Sequence, residues 1–325
     1  MPISPRLLSA NLRILPTPSL PLLRSTPSVP LSFDTFPAAS LSCSICTKSL
    51  SLTEKGIRPF GSRTKASMAD FATGERKDKV QVFDSEEELK ASLAKYTADL
   101  SEKICKERDS FSVVFSGGSL IKCLGKLLEP PYVDSVDWSK WHIFWVDERV
   151  VPKDHPDSNY LLAYDGFLSK LSIPADNVYA INDALSAKGA ADDYESRLKH
   201  LVKTKIVCVS EASGFPQFDL MLLGMGPDGH VASLFPGHPL LKEKEKWVTF
   251  IEDSPKPPPE RITFTLPVIN SSANIALVVP GASKADAVYT ALGGGSKNPI
   301  SLPVQMVSPE GELVWFLDKG AASKL

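Results

Sequence analysis

Cysteine is scarce in this chain of 325 residues, which contains five. Cys105, Cys123 and Cys208 are isolated from one another, so the sequence offers neither a disulfide framework nor the paired spacing of a zinc site. We expect these three thiols to be buried or half-buried. Cys43 and Cys46 have the spacing of a redox pair. They lie in an N-terminal stretch of different composition, however, and we do not expect them to have a functional role.

Strong charge and long apolar runs are also missing. The formal net charge is −2 and the isoelectric point is near 6.2, so no nucleic-acid partner is expected. No apolar run reaches the length of a membrane span, and we expect no membrane partner. The sequence also shows no internal repeat and no helix-turn-helix segment.

Residues 1–67 have the composition of an organelle transit peptide. They are rich in Ser, Pro, Thr and Leu, and Asp34 and Glu54 are their only acidic residues. Scattered prolines oppose a long amphipathic helix, which favours import into a chloroplast over import into a mitochondrion. The alternative is a disordered leader without a targeting role. Met68 offers an alternative start that would omit the leader.

The C-terminal end of the chain carries a second candidate targeting signal. Ser323, Lys324 and Leu325 form the tripeptide that a peroxisomal receptor reads at a free C-terminus. Residues 320–322 precede it and predict a flexible, accessible tail. Dual targeting to plastid and peroxisome, each through its own import receptor, is therefore the hypothesis, and a tail that no receptor reads is the alternative.

Residues 68–322 carry strands that alternate with helices. The predicted strands are 79–83, 112–115, 141–146, 218–223, 261–266 and 275–279, and segments 304–307 and 313–317 close the domain. The predicted helices are 85–107, 120–128, 158–171, 192–202 and 283–292. This alternation indicates a single α/β domain with a doubly wound, Rossmann-like, mostly parallel sheet and helices on both faces. Ligands bind such sheets at the carboxyl ends of the strands.

The loop after the predicted strand 218–223 holds one acid and one imidazole. Three glycines in six residues allow a tight turn and close approach of a ligand. Asp228 and His230 follow, and an imidazole beside a carboxylate can serve as a general base. A carboxylate neighbour is expected to raise the pKa of His230 above about 6.5. The alternative is a structural Asp with a hydrogen-bonded His.

Two further loops follow predicted strands. Gly117, Gly118 and Ser119 lead into a helix, where free backbone N–H groups and a hydroxyl suit an anion. The segment lacks the Lys of a P-loop and the third Gly of a dinucleotide fingerprint, which indicates a single phosphate. Arg149 is expected to hold phosphate, and Asp147 to contact a sugar hydroxyl or orient the imidazole. A plain strand–helix turn and a surface ion pair are the alternatives.

Two more basic residues complete the candidate site. Lys284 lies at another strand–helix junction, where an anion would bind, and a solvated lysine is the alternative. Arg261 is a possible substrate contact, with ion pairing to Glu260 or Asp253 as the alternative. We expect residues 255–259 to form a loop over the site.

Several motifs together resemble the 6-phosphogluconolactonase family. They are Phe-Ser-Gly-Gly-Ser at 115–119, Trp-Val-Asp-Glu-Arg-Val-Val-Pro at 145–152 with Asp-Ser-Asn-Tyr at 157–160, the segment 224–236, Pro-Glu-Arg-Ile-Thr-Phe-Thr at 259–265 and Pro-Gly-Ala-Ser-Lys-Ala at 280–285. The resemblance covers about residues 80–319. It implies hydrolysis of 6-phospho-D-glucono-1,5-lactone without a metal or an organic cofactor.

Such chemistry assigns a role to each candidate residue. His230 would activate water, with Asp228 or Asp147 orienting its ring. The substrate phosphate would be held by Gly117, Gly118, Ser119, Arg149 and Lys284. The first alternative is the related glucosamine-6-phosphate isomerase/deaminase, which carries a Glu five residues after the loop histidine, where this chain has Phe235. The second is a sugar-phosphate sensor without enzymatic activity.

Overall fold

A computed structural model describes residues 67–73, 76–293 and 301–325, with side chains from Lys79 onward. The strands are β1 (Ser67–Thr73), β2 (Arg76–Phe83), β3 (Phe111–Phe115), β4 (Trp141–Trp145), β5 (Asp147–Arg149), β6 (Cys208–Val209), β7 (Pro216–Gln217), β8 (Leu220–Leu223), β9 (Val248–Ile251), β10 (Arg261–Phe264), β11 (Asn274–Val279) and β12 (Glu312–Asp318). The helices are α1 (Glu86–Arg108), α2 (Ser119–Cys123), α3 (Tyr132–Ser135), α4 (Asn159–Gly166), α5 (Ala187–Lys203), α6 (Leu266–Asn270) and α7 (Ala285–Leu292). Apart from Ser67, which begins β1, the predicted leader lies outside the described residues.

The central sheet has seven strands in the order β1-β2-β12-β11-β8-β3-β4. All neighbouring pairs are parallel except β1 with β2. The predicted mostly parallel α/β sheet is therefore confirmed. The chain moves from β3 to β4 on one side and then returns to β8 on the other side of β3. Open α/β sheets bind ligands where the strand order reverses in this way.

The inner strands are buried on both faces, which explains their nearly continuous apolar sequences. In β8, Leu222 packs in a core cluster that includes Leu89 of α1. The next residue, Leu223, points the other way, into a cluster that includes Tyr194 of α5. Both faces of the sheet are thus covered by helices, as the alternation of elements predicted.

A second, antiparallel sheet of three strands has the order β5-β10-β9. Thr263 of β10 pairs with Asp147 of β5, and the Phe264 N–H donates to the Val146 carbonyl at 2.7 Å. The prediction of a loop at 147–149 is therefore wrong. The strand predicted at 261–266 exists, but it does not belong to the parallel sheet. The two partners lie more than a hundred residues apart, so no local pattern announces their pairing.

Serine side chains cap the starts of two helices. Ser85 Oγ accepts from the Glu88 N–H at 3.2 Å at the start of α1, and Ser158 Oγ accepts from the Leu161 N–H at 3.2 Å at the start of α4. The helix predicted at 120–128 is divided, because α2 passes into a 3₁₀ turn over Leu124–Leu128. Within the described part of the chain, no helix is long and apolar enough to cross a membrane.

The predicted burial of the three thiols is confirmed, whereas the predicted flexible tail is not. Cys105 and Cys123 are buried and Cys208 is half-buried, as predicted. The free tail predicted at 320–322 is wrong, because Ala321 is fully buried and its N–H donates to Asp318 Oδ1 at 2.7 Å. The three terminal residues after it are exposed.

Candidate active site

The segment after β8 turns tightly around the His230 side chain. The Gly226 N–H donates to the His230 carbonyl at 2.9 Å, and the Gly229 N–H donates to the Gly226 carbonyl at 3.0 Å. A β-carbon on Gly226 would lie 2.0 Å from the imidazole ring. Gly229 has a φ of 76°, which side chains rarely adopt. These glycines therefore let the backbone approach the imidazole closely.

His230 forms a close group with one carboxylate and one ammonium. Its Nδ1 lies 2.5 Å from Asp228 Oδ1. Lys256 Nζ donates to the same oxygen at 3.1 Å and lies 3.2 Å from His230 Nδ1. Because an ionised carboxylate only accepts, Nδ1 carries the hydrogen in this arrangement and Nε2 is the basic nitrogen. Of the two carboxylates that the sequence left open, Asp228 is the one in contact with the ring.

The pKa values in this group follow from burial and from the three charges. Burial lowers the pKa of His230, and the Lys256 ammonium adds to that lowering although Asp228 opposes it. Burial opposes ionisation of Asp228, but His230 and Lys256 outweigh it and lower the pKa of Asp228 to about 2. The predicted increase in the pKa of His230 is therefore wrong, because the side chain is only 17% exposed. A neutral imidazole can accept a proton near pH 7.

Arg261 is almost fully buried and holds the loop that carries Lys256. Its guanidinium donates to the backbone carbonyls of residues 256–258 at 2.8, 2.9 and 3.0 Å. Among the described residues, it forms no ion pair with Glu260 or Asp253. The expected loop over the site is thus present, fixed by a cation at its base. Contact between Arg261 and substrate stays a prediction.

Arg149 lies at the other end of the site. Its Nη1 donates to the Asp157 carbonyl at 2.8 Å, and its buried Nε has no partner among the residues described. Beside it, Asn159 Nδ2 donates to the Asp147 carbonyl at 3.0 Å. A β-carbon on Gly117 would lie 1.9 Å from Asn159 Oδ1, so this loop also needs glycine. An unsatisfied buried guanidinium N–H is a binding group for an anion.

Three further predicted residues border the same space. Gly118 has a φ of 69° and directly precedes α2, whose first residue is Ser119. Lys284 precedes α7, and burial together with the charge of Lys256 lowers its pKa. Like-charged neighbours of this kind are stabilised by a bound anion.

One cavity of about 250 Å³ unites these side chains at the carboxyl ends of β3, β4, β8 and β11. It is lined by Ser116, Gly117, Gly118, Ser119, Asp147, Arg149, Asn159, Gly224, Met225, Gly226, Pro227, His230, Ala232, Lys256, Arg261 and Lys284. The cavity thus brings together all the predicted site residues except Asp228. Asp228 does not line the cavity but contacts Nδ1 of His230. Among the described residues, its lining has four cationic side chains and one carboxylate, that of Asp147, whose Oδ2 accepts from Ser233 Oγ at 2.8 Å.

Sequence reasoning missed Lys256 and Asn159. Lys256 lies in the proline-rich loop expected over the site, and a cation within such a loop was the available signal. Asn159 lies in the motif at 157–160 but was assigned no role. Within the described residues, no group of three or more His, Cys, Asp or Glu side chains is placed to hold a metal ion.

The fold and the residues around the cavity define a class of sugar-phosphate enzymes. The chain belongs to the family of glucosamine-6-phosphate isomerases/6-phosphogluconolactonases, whose model matches residues 84–315. The resemblance found in the sequence is thus confirmed.

Individual relatives show which members of this family the chain resembles. The chain is 62% identical over 300 residues to 6-phosphogluconolactonase 3, chloroplastic, of Arabidopsis thaliana, covering 89% of this chain and 91% of the relative. It is 68% identical over 247 residues to probable 6-phosphogluconolactonase 4, chloroplastic, of Oryza sativa subsp. indica, covering 76% of each. Among solved structures, the 6-phosphogluconolactonase of Trypanosoma brucei is 27% identical, with a TM-score of 0.66 over 77% of this chain and 99% of that one.

A monomeric glucosamine-6-phosphate deaminase is also similar, at 21% identity and a TM-score of 0.59 over 76% of this chain and 99% of that one. This likeness concerns the fold alone. Lactonases and deaminases therefore share the architecture, and the choice between them depends on individual residues.

Proposed function

We propose that this chain hydrolyses 6-phospho-D-glucono-1,5-lactone to 6-phospho-D-gluconate, the second step of the oxidative pentose phosphate pathway. The observation that carries the proposal is a cavity whose lining combines the His230 imidazole, paired with Asp228 outside the lining, and four cationic side chains. The relatives at 62% and 68% identity are named 6-phosphogluconolactonases, which supports the same substrate.

In the proposed reaction His230 is the general base. Its Nε2 takes a proton from a water molecule as the water oxygen attacks the lactone carbonyl carbon. The tetrahedral intermediate collapses with cleavage of the bond between that carbon and the ring oxygen. The imidazolium then returns the proton to the ring oxygen, which becomes a hydroxyl group. A positioned base of this kind contributes about 10²- to 10⁴-fold to the rate.

Asp228 and Lys256 keep the base in its working form. Asp228 accepts the Nδ1 hydrogen and so fixes the ring and the tautomer. Lys256 keeps Asp228 ionised and opposes protonation of His230. We assign Asp147 to a substrate hydroxyl, because its carboxylate lines the cavity without contacting the imidazole.

The phosphate of the substrate would bind at the Arg149 end of the cavity. Arg149 supplies a guanidinium whose Nε has no partner among the described residues, and Lys284 supplies an ammonium whose pKa is already lowered by burial. Gly117, Gly118 and Ser119 add backbone N–H groups and a hydroxyl. A charge-assisted contact contributes about 1.5–3 kcal/mol, so two cations can distinguish a phosphorylated lactone from a plain one.

A coupled assay tests this function. Freshly generated 6-phosphogluconolactone should be hydrolysed well above its spontaneous rate, and glucosamine 6-phosphate should release no ammonia. Ammonia release without faster lactone loss would contradict the proposal and support the deaminase. Binding of both sugar phosphates without turnover of either would support the sensor.

Phe235 favours the lactonase over the deaminase. It stands where the deaminase family carries a Glu, and its buried ring lies 4.8 Å from the imidazole, centroid to centroid. A phenyl ring cannot relay the protons that ring opening and isomerisation of an amino sugar require. It instead covers the base with an apolar surface.

For localisation we propose import into the plastid through residues 1–67, as the chloroplastic names of both plant relatives support. A form without that leader would reach the peroxisome through Ser323-Lys324-Leu325. In the structure Lys324 forms an ion pair with Asp286 of α7, and the receptor would have to replace that contact. A fluorescent protein fused after Leu325 reports the leader alone, and one that replaces residues 1–67 reports the tripeptide. Plastid fluorescence with the first fusion and peroxisomal fluorescence with the second are expected. A wholly cytosolic leaderless fusion would leave the tripeptide as an unread tail.

A further inference from the structure

Glu148 is a buried carboxylate that the proposed chemistry does not use. It is 2% exposed, and among the described residues no Lys, Arg or His side chain forms an ion pair with it. A carboxylate buried in this way is costly unless hydrogen bonds replace the lost water. Burial accordingly raises the pKa of Glu148 to about 7, although backbone N–H donors oppose that increase.

The donors around Glu148 all come from the segments that carry Arg149 and Asn159, at the end of the cavity to which we assign the substrate phosphate, the anion end. Its Oε1 accepts from the backbone N–H groups of Arg149, at 2.7 Å, and Asn159, at 2.8 Å. Its Oε2 accepts from the Tyr160 N–H at 2.7 Å and lies 3.4 Å from Ser158 Oγ. One side chain thereby ties β5 to the first turn of α4.

The tie fixes two residues that line the cavity, Arg149 and Asn159. The Asp157 carbonyl, which accepts from Arg149 Nη1, directly precedes the segment held by Glu148. Asn159, whose own N–H is held, places its side-chain oxygen against Gly117. If the segment 157–160 moved, the Arg149 guanidinium would lose its support and the Gly117 loop would lose its neighbour.

We propose that Glu148 is a positioning residue for the anion end of the cavity, which sets how tightly the phosphate of the substrate is bound without taking part in the proton transfers at His230. This inference rests on the proposed function, because it assigns Arg149 to the substrate phosphate.

The test is Glu148→Gln, which keeps the shape but replaces one acceptor oxygen by an NH₂ donor that faces backbone N–H groups. The KM for 6-phosphogluconolactone should rise about 10-fold or more, since charge-assisted contacts that depend on the geometry are weakened. The kcat should stay within about threefold, as the base is untouched. The inhibition constant for inorganic phosphate should rise by a similar factor, and turnover of unphosphorylated gluconolactone should not change.

Asp219→Asn is the matched control. Asp219 is also a buried carboxylate, but it accepts from Ser112 N–H and Oγ, both at 2.7 Å, and pairs with Arg108 at the opposite ends of β3 and β8. Its loss should lower the thermal unfolding midpoint and leave KM unchanged. If both variants raised KM equally, the effect would be general loosening and the positioning role would be wrong.

Ser158→Ala is the second variant, for the case in which Glu148→Gln does not fold. It removes the N-cap of α4 and one Glu148 contact, and a KM increase of about two- to fivefold is expected from a cap worth about 1 kcal/mol. An unchanged KM in the folded variants would overturn the proposal. A parent protein that does not accelerate lactone hydrolysis would instead contradict the proposed function, and this is measured before any variant.

Discussion

The two ends of the cavity are built in opposite ways. At one end, which we call the base end because it holds the proposed general base, Asp228 and His230 are two residues apart in one glycine-rich turn. A buried cation, Arg261, donates there to three backbone carbonyls of the neighbouring loop. At the anion end, the proposed phosphate contacts come from the loop after β3, from strand β5 and from the junction of β11 with α7, and the buried carboxyl group of Glu148 accepts from three backbone N–H groups. In both cases a buried ionisable side chain fixes the neighbouring backbone. The Asp228–His230 pair is local in sequence, whereas the anion end exists only in the folded chain.

The comparison predicts that changes at the base end act on kcat. His230→Gln should lower kcat by about 10²- to 10⁴-fold, because glutamine keeps a hydrogen-bonding group but cannot accept the proton. KM should change little, since the cations are untouched. His238→Gln is the control, a histidine of the same loop region that lies outside the cavity lining. Substantial turnover by His230→Gln, after correction for spontaneous hydrolysis, would remove His230 from the role of base.

Changes at the anion end should act on KM. Arg149→Ala and Lys284→Ala should each raise the KM for the phosphorylated lactone roughly 10- to 150-fold, the equivalent of one charge-assisted contact. Lys188→Ala, which removes an exposed charge on α5, controls for net charge. If steady-state kinetics gave the parent KM for both cavity variants, the phosphate would have to bind elsewhere.

The smallest predicted effect is a displacement of the pH profile. The pKa of His230 is lowered by burial and by Lys256, so activity should be lost as pH falls through a value below 6.5. Lys256→Met removes one cause of the lowering, so the pKa should rise and the acid limb of kcat/KM should move to higher pH. Lys244→Met, an exposed lysine in the preceding segment, should leave the profile in place. A Lys256→Met profile that overlays the parent would mean that the ammonium does not influence the base.

The contrast between contacts that are local in sequence and contacts that form only on folding also explains how much of the structure the sequence could predict. The parallel sheet and the Asp228–His230 turn follow from short sequence patterns, and they were predicted correctly. The pairing of Asp147 with Thr263 does not follow from any short sequence pattern. The segment 147–149 was therefore predicted to be a loop. Lys256 reaches Asp228 from 28 positions away, and no spacing announces that contact.

Electrostatics was harder to predict than geometry. A neighbouring carboxylate was expected to raise the pKa of His230, and the contact is indeed present. Burial and the Lys256 charge outweigh it, and neither is visible before the chain is folded. The roles of Glu148 and Asn159 likewise depend on hydrogen bonds between β5 and the first turn of α4.

The central claim is that both ends of the cavity act on one substrate molecule. The most direct measurement is the rate of hydrolysis of 6-phosphogluconolactone and of unphosphorylated gluconolactone by the same preparation, each corrected for its spontaneous reaction. We predict a kcat/KM for the phosphorylated lactone that is higher by at least the roughly 10-fold contribution of one cation contact. Equal kcat/KM values for the two lactones would contradict the account, because the cations of the cavity would then contribute nothing to the reaction.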